Sequence, residues 1–278
     1  MAKVTVRTLK KYKDNSEKFT VLTAYDYSTA KYMDEVGVDV ILVGDSLAMV
    51  ALGYKDTMAI GTEEMSIFTK AVVNGAKRAM VVTDMPFMSY NTDVPTALKN
   101  IGNMLKIGAN AVKIEGCNDY ILELIKRCTQ SGIPVMGHIG FTPQSKNVIG
   151  GHIIQGKTVE AIKDLLLEAQ KIQEAGAFSV VLEMVPEEGA KYITENLDIP
   201  TISCGAGKYC DSQVMVCDDL FGKYSEFKPK FARQYANMQE LIRTSVSKYI
   251  ADVKNGNYPN SEEVYNLSDE EKKLLQQI

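Results

Sequence analysis

Five successive apolar runs each end on a side chain that is expensive to bury: VILVGD on Asp45, RAMVVTD on Asp84, NAVKIE on Glu115, IPVMGH on His138 and FSVVLE on Glu183. A charged group in such a place must find a partner or change its protonation state. One acid alone could simply cap the following loop or helix. Four carboxylates and one imidazole at the same relative position point instead to a common rim facing one pocket. Three carboxylates converging there, Asp45, Asp84 and Glu115, repel one another unless a cation sits among them. Oxygen ligands with room for water and substrate suit Mg2+ or a similar hard ion. Such an ion takes only one or two carboxylates directly, so one of the three is expected to act through water.

Other side chains extend the constellation. Lys113 and Glu115 lie two apart on one strand and so share a face, the interior if the strands close into a barrel. A buried ammonium there needs an anion, which Glu115 or a substrate carboxylate supplies; a purely structural ion pair meets the same need. Glu183, isolated in VVLEMV, is expected to have a raised pKa through desolvation, which suits a general base, unless a neighbouring Arg or Lys neutralises it. His138 in GHIGFTP is placed to hydrogen-bond a substrate oxygen, to orient Glu183, or to serve structure alone. Gly44-Asp45-Ser46 offers N–H groups and a hydroxyl to a carboxylate, and Gly205-Ala206-Gly207 forms a short turn. Neither is a nucleotide-binding fingerprint, so ATP and NAD are not inferred. Gly150-Gly151 marks a loop after the fifth run that could act as a lid.

The elements that must position these residues are legible as strand-like runs near 19–25, 39–45, 78–84, 110–115, 133–139, 178–184, 199–204 and 213–218. Helical patterns separate them. Segment 28–36 is expected to start on Ser28 and stop at Gly37, 62–77 to start on Thr62, and 92–107 to carry Pro95 in its first turn and stop at Gly108. Segments 119–131 and 158–175 end before Gly132 and Gly176, and 229–254 is expected to be the closing helix of the barrel. Strands alternating with helices give an α/β fold with a parallel sheet, a (β/α)8 barrel, whose C-terminal strand ends carry the chemistry. A length of 278 residues suits one such domain, with a short N-terminal extension and a C-terminal helical tail.

Composition narrows the function further. A hydrophobic content of 45% with 24% charged residues is ordinary for a soluble globular enzyme. A net charge of −4 leaves no basic footprint for nucleic acid. No apolar run approaches the roughly 20 residues of a membrane span, and MAKVTVRTLKKYKDN has no signal-peptide core. Cys117, Cys128, Cys204, Cys210 and Cys217 lack zinc spacing and read as reduced thiols of a cytoplasmic protein. With only 2 histidines, a His-rich metal site is unavailable.

The motifs TAYDYSTAKYMDEVGVDVILVGDSLAMVALGYKDT, VVTDMPFMSY, AVKIEG, PVMGHIGFTPQS and GGHIIQGK occur in order. Through them the chain resembles the ketopantoate hydroxymethyltransferase family from about residue 3 to residue 260, a family of phosphoenolpyruvate/pyruvate-type barrels. The resemblance implies transfer of a one-carbon unit from 5,10-methylenetetrahydrofolate to 3-methyl-2-oxobutanoate, through an enolate stabilised by Mg2+. The product, ketopantoate, leads to pantothenate. It further implies Asp45 and Asp84 as magnesium ligands with Glu115 as the third acid at the metal. Asp45, Ser46, Asp84, Lys113 and His138 would surround the keto acid, and Glu183 would be the base. A homo-decamer of two pentameric rings is implied as well. On the residues alone, a magnesium-dependent lyase of the same superfamily and a keto-acid-binding barrel without turnover fit the same side chains, whereas a metal-binding barrel kept as a structural or regulatory subunit would have no need of Asp45, Asp84, Lys113, Glu115 and Glu183 together. The chain departs from the family pattern at Cys204 in SCGAG, at VCDD (216–219), where Trp-His-Asp is more usual, and in the tail LSDEEKKLLQQI.

Overall fold

Each of the eight apolar runs forms a strand in the computed structural model, which describes residues 2–278. The strands are β1 (Phe19–Thr23), β2 (Val40–Val43), β3 (Met80–Asp84), β4 (Ala111–Glu115), β5 (Val135–Gly140), β6 (Ser179–Glu183), β7 (Thr201–Cys204) and β8 (Ser212–Met215). All neighbouring pairs are parallel, and β8 closes on β1 with Val214 opposite Val21. A parallel sheet covered on both faces explains why the runs are almost continuously aliphatic.

Successive side chains alternate between the two faces of each strand. Phe19, Val21, Leu42, Met80, Val82, Ala111, Met136, Val181 and Ile202 form one cluster, the filled interior of the barrel. Ile41, Val43, Val81, Val112, Ile114, Val180 and Leu182 belong to a second, between sheet and helices. The inward series continues along the chain from Val82 to Asp84, from Ala111 to Lys113 and Glu115, from Met136 to His138, and from Val181 to Glu183. The same parity that fills the core therefore delivers the polar side chains to the inside of the C-terminal end.

The helices are α1 (Val6–Asp14), α2 (Tyr27–Glu35), α3 (Thr62–Gly75), α4 (Val94–Ile107), α5 (Asp119–Gln130), α6 (Val159–Glu174), α7 (Glu187–Glu195), α8 (Cys217–Phe221), α9 (Met238–Asn255) and α10 (Asp269–Leu275), besides one-turn pieces in the loops. Two caps differ from expectation. The carboxylate of Asp26, not Ser28, accepts the Thr29 N–H that starts α2. Helix α3 starts at Gly61, whose N–H donates to the Glu64 carboxylate, so Thr62 is already helical. Pro95 sits in the first turn of α4, as expected, behind an Asp93 cap.

Helix α1 has no counterpart in the strand–helix pattern. Thr5 caps it, and Val4 and Leu9 join the interior cluster beside Phe19 and Val40, at the N-terminal ends of β1 and β2. With a 3.0 Å ion pair from Lys13 to Asp211, the segment closes the bottom of the barrel.

The expected closing helix over 229–254 forms only in part, from Met238 onward, and does not pack on the barrel. Residues 223–237 are an irregular strap lying across the top, tied down where Tyr235 N–H donates to Leu220 O. Helix α9 begins only at Met238 and has no buried residue. An apolar stripe of helical period says that one face wants covering; it does not say that the chain's own barrel does the covering. Among the described residues, no helix is long and apolar enough to cross a membrane, and all five cysteines are free.

Candidate active site

After β2 the chain turns through Gly44 into Asp45 and Ser46. A side chain on Gly44 would press on Ser46 Oγ at 2.8 Å, so any larger residue there would displace the Ser46 hydroxyl. The Asp45 N–H donates to Asp84 Oδ2 at 3.0 Å, and Ser46 Oγ shares a 2.9 Å hydrogen bond with Tyr25 OH. Asp84 ends β3 directly opposite Lys113 of β4, and its Oδ1 lies 3.3 Å from Lys113 Nζ. Lys113 Nζ is also 3.2 Å from His138 Nδ1 and 3.9 Å from Glu115 Oε1.

His138 sits within β5 rather than at its end, paired in register with Glu115. Its Nδ1 is 3.4 Å from Glu115 Oε1 and its Nε2 is 3.2 Å from Glu183 Oε2, so one imidazole spans two carboxylates. Glu183 ends β6, and the left-handed Met184 (φ 51) turns the chain away immediately after it. Glu183 is not the isolated, desolvated acid the sequence suggested. It keeps 15% of its side chain exposed, and its partner is an imidazole, not an Arg or Lys.

Electrostatics follows from five buried titratable groups. Burial pushes the Asp45 carboxyl well above the usual range, and the charges of Asp84 and Glu115 add to this. Asp84 is also raised by burial, against the pull of Lys113 and of the Asp45 amide. Burial works the same way on Glu115, but the close imidazole of His138, with Lys113, outweighs it and holds that carboxyl low. Burial would neutralise Lys113; Asp84, Glu115 and Asp45 outweigh it and keep the ammonium charged. Burial and Lys113 both push His138 down, yet the carboxylates on its two sides carry it up to about 9. The floor is therefore crowded with acids, two of them pushed toward their neutral forms, around the cations of Lys113 and His138. Asp84 Oδ1, Glu115 Oε1 and His138 Nε2 remain buried without an aligned hydrogen bond, in spite of the ion-pair distances.

Among the described residues, no three of His, Cys, Asp and Glu form a ready-made coordination sphere. The expected convergence of three acids is looser than the spacing suggested. Asp84 is tied to Asp45 through the Asp45 backbone N–H, while Glu115 is engaged by His138, Lys113 and Gln144.

Gln144 and Tyr90 were not foreseen as site residues. Gln144 lies in the turn Pro143–Ser145 after β5 and is buried. Its Nε2 donates to Asp45 Oδ2 at 2.9 Å and to Met85 O at 3.0 Å, its N–H donates to Glu115 Oε2 at 3.1 Å, and its Oε1 accepts from Tyr90 OH at 2.8 Å. One residue thus braces two of the three acids, Asp45 through its side chain and Glu115 through its backbone N–H. The only trace in the sequence is a polar residue in the PQS turn just beyond GHIGFT.

All of Asp45, Ser46, Asp84, Lys113, Glu115, His138 and Glu183 line one cavity of about 860 Å3. Cys204 also lines it, opposite Glu183 in register. In VCDD, Cys217 and Asp218 are buried, with the Cys217 thiol donating to Asp218 at 3.2 Å, whereas Asp219 reaches the cavity wall.

Carboxylates, a lysine and an imidazole on the inward face of strand ends, in a closed parallel barrel, define an α/β-barrel enzyme. A family model described as ketopantoate hydroxymethyltransferase matches residues 3–261. The chain is 52% identical over 270 residues to the 3-methyl-2-oxobutanoate hydroxymethyltransferase of Clostridium kluyveri, covering 97% of this chain and 96% of that protein. It is 49% identical over 265 residues to the enzyme of the same name from Caldicellulosiruptor saccharolyticus, covering 95% of this chain and all 100% of that one. The chain belongs to the ketopantoate hydroxymethyltransferase family. Among solved structures, a phosphonopyruvate hydrolase complexed with oxalate and Mg2+ aligns with a TM-score of 0.60 at 11% identity, over 99% of this chain and 95% of that one. A 2,3-dimethylmalate lyase of the PEP mutase/isocitrate lyase superfamily aligns with a TM-score of 0.60 at 14% identity, over 99% of both chains. These last two likenesses are of fold.

Proposed function

We propose that the chain transfers a hydroxymethyl group from 5,10-methylenetetrahydrofolate to 3-methyl-2-oxobutanoate, giving ketopantoate for pantothenate synthesis. The observation that carries this reading is the division of the cavity floor into an acid cluster at Asp45 and Asp84 and a separate carboxylate, Glu183, held by His138. Enolisation of a 2-keto acid needs both parts: a place for a cation beside the two substrate oxygens, and a base near C3.

The residues fit a divalent cation. Asp45 and Asp84 would hold it, with Glu115 acting directly or through water. The crowding of buried acids and the unsatisfied Asp84 Oδ1 and Glu115 Oε1 are what a cation or its water shell would relieve. When bound, Mg2+ supplies Lewis-acid stabilisation of negative charge on the keto-acid oxygens.

Lys113 places an ammonium beside the substrate carboxylate and the developing enolate oxygen. Ser46, held by Tyr25, offers a hydroxyl to the same carboxylate. Glu183 takes the proton from C3, and His138 keeps that carboxylate aimed. The C3 carbanion then bonds to the methylene carbon of the folate, opened to its iminium form. The carbon–nitrogen bond to folate breaks, the oxygen of one water becomes the new hydroxyl, and tetrahydrofolate leaves as the amine.

The wider assignment rests on the same family. The chain works as one barrel domain with an N-terminal extension and a C-terminal helical tail. The uncovered stripe on α9 supports a homo-oligomer, two pentameric rings forming a decamer. The free thiols support a reducing, cytoplasmic setting.

The test is deuterium exchange at C3 of 3-methyl-2-oxobutanoate, followed by NMR with Mg2+ present, and then addition of methylenetetrahydrofolate. Exchange followed by ketopantoate supports the assignment. Exchange with no product moves the chain to a folate-independent lyase, and no exchange removes enolisation of this acid. Glu183→Gln is expected to abolish exchange while still binding Mg2+ and keto acid by calorimetry; exchange at the wild-type rate would remove Glu183 as the base.

A further inference from the structure

The cavity is far larger than a five-carbon keto acid requires. Its volume of about 860 Å3 falls in the range of pockets for drug-sized ligands, roughly 300–1,000 Å3. It is also divided by polarity. The charged groups of β2–β6 occupy the floor. Above them the wall is aromatic: the rings of Phe141 and His152 lie 4.9 Å apart at 37°, and those of His152 and Phe227 lie 6.3 Å apart at 36°. Phe231 completes the rim, its ring set where a side chain on Gly205 would come within 2.5 Å. Only a glycine at that turn lets the strap lie across the mouth.

Phe141 is buried at the inner end of this wall, and the outer rings are uncovered in the single chain. Phe227 is 57% exposed and Phe231 is 42% exposed, so the rim offers apolar ring faces to water. Beside it stands Asp219, half-buried, facing the same cavity. Burial and the adjacent Asp218 raise its carboxyl to about 6 against the smaller pull of the Lys228 charge, and no hydrogen bond holds it. A half-buried carboxylate with no donor is left waiting for one.

We infer that this outer compartment seats the fused pteridine ring of the one-carbon donor, with its flat face on the Phe141–His152–Phe227 row and its aminopyrimidinone edge on Asp219. The inference rests on the folate-dependent reading above and says where that co-substrate lies. The edge of a 2-amino-4-oxopyrimidine presents a ring N–H and an amino N–H side by side, and a carboxylate accepts both at once. The ring face matches tilted aromatic side chains, which favour offset and edge contacts. A ligand here lies above the floor, so its methylene carbon can approach the enolate carbon from the open side. Lys230, at the same mouth, supplies a cation for the donor's glutamate carboxylates.

The test titrates tetrahydrofolate itself into the full-length protein by calorimetry, for the wild type and for Asp219→Asn, Phe227→Ala and His152→Ala. C3 exchange of the keto acid is measured in parallel. Asp219→Asn preserves shape, and Phe227 is at the surface, so all are expected to melt like the wild type. Tetrahydrofolate dissociation constants should rise roughly tenfold to a hundredfold for Asp219→Asn and about tenfold for each ring, as expected for a lost charged hydrogen bond and a lost stacking contact. The KM for methylenetetrahydrofolate should rise in step while exchange keeps its wild-type rate. Wild-type affinity in the variants overturns the inference, as does a wild type that exchanges the keto acid but binds no tetrahydrofolate. Variants that lose exchange together with folate binding overturn it too, because the outer wall would then serve the floor. If the wild type binds tetrahydrofolate through these residues but exchanges nothing, the subsite stands and the keto-acid reading fails.

Discussion

Gln144 shows how much of a site can rest on a residue that touches no reacting atom. Its amide ties Asp45 to the Met85 carbonyl and to Tyr90 in one buried chain, and its backbone N–H steadies Glu115. Gln144→Leu keeps the backbone contact but strips Asp45 Oδ2 of its donor and leaves Tyr90 OH and Met85 O unpaired. Each stranded buried group costs about 1–3 kcal/mol, so the melting temperature should drop. Because the amide orients a carboxylate proposed to hold the metal, Mg2+ affinity should also weaken by roughly tenfold or more. Calorimetric titration of Mg2+ checks this without any assay of turnover; unchanged affinity in a folded variant would make Gln144 a packing residue only. The candidate acids were visible in the sequence because each breaks an apolar run. Gln144 breaks nothing, being a polar residue in a polar turn, and its role exists only through contacts with residues distant in the chain. His138 was visible as a candidate, but its position between Glu115 and Glu183 depends on the β5 register with both neighbouring strands.

At the scale of the element, strands β5 and β6 are held at the site by a glycine. Gly140 ends β5 at φ 87, and a Cβ there would lie 2.3 Å from the carbonyl oxygen of Glu183. The two strands come this close because Gly140 and Glu183 are paired in register. Gly140→Ala therefore meets a backbone atom that cannot yield and a dihedral that alanine resists, at a cost on the order of 3 kcal/mol in denaturant unfolding. C3 exchange should fall as well, since Glu183 is displaced. Gly102 in α4 is the control: nothing lies within 4 Å of a Cβ there. Gly102→Ala should stabilise by up to about 1 kcal/mol, from helix propensity alone. Equal effects at the two positions would show that close packing at Gly140 is not what matters. The strands were legible because hydrophobic runs bounded by helix-ending glycines are local signals. Helix α1 was not, because its value lies in what it plugs: Val4 and Leu9 meet Phe19 and Val40 only once the barrel has closed.

For the whole molecule, helix α9 is the unfinished part. Leu241, Ile242, Val246, Tyr249, Ile250 and Val253 recur at helical spacing, and each is at least 45% exposed. A stripe of this kind on a helix that buries nothing against its own barrel is the face on which the proposed oligomer would pack. Periodicity records that a face is apolar and carries no information about which surface meets it, so the covering of 229–254 was not legible in the sequence. Val246→Glu with Ile250→Glu places two charges in the middle of the stripe. Light scattering should show the wild type as an assembly and the variant shifted towards the 30.7 kDa chain. A wild type that is already monomeric, or a variant of unchanged mass, would remove α9 from the interface. The barrel itself should keep its melting temperature apart from what assembly adds, since α9 contributes no buried residue to it. C3 exchange should survive dissociation, because Asp45, Asp84, Lys113, Glu115, His138 and Glu183 all come from β2–β6 of one chain and their contacts lie within it. Loss of exchange on dissociation would mean instead that a neighbouring copy completes the site.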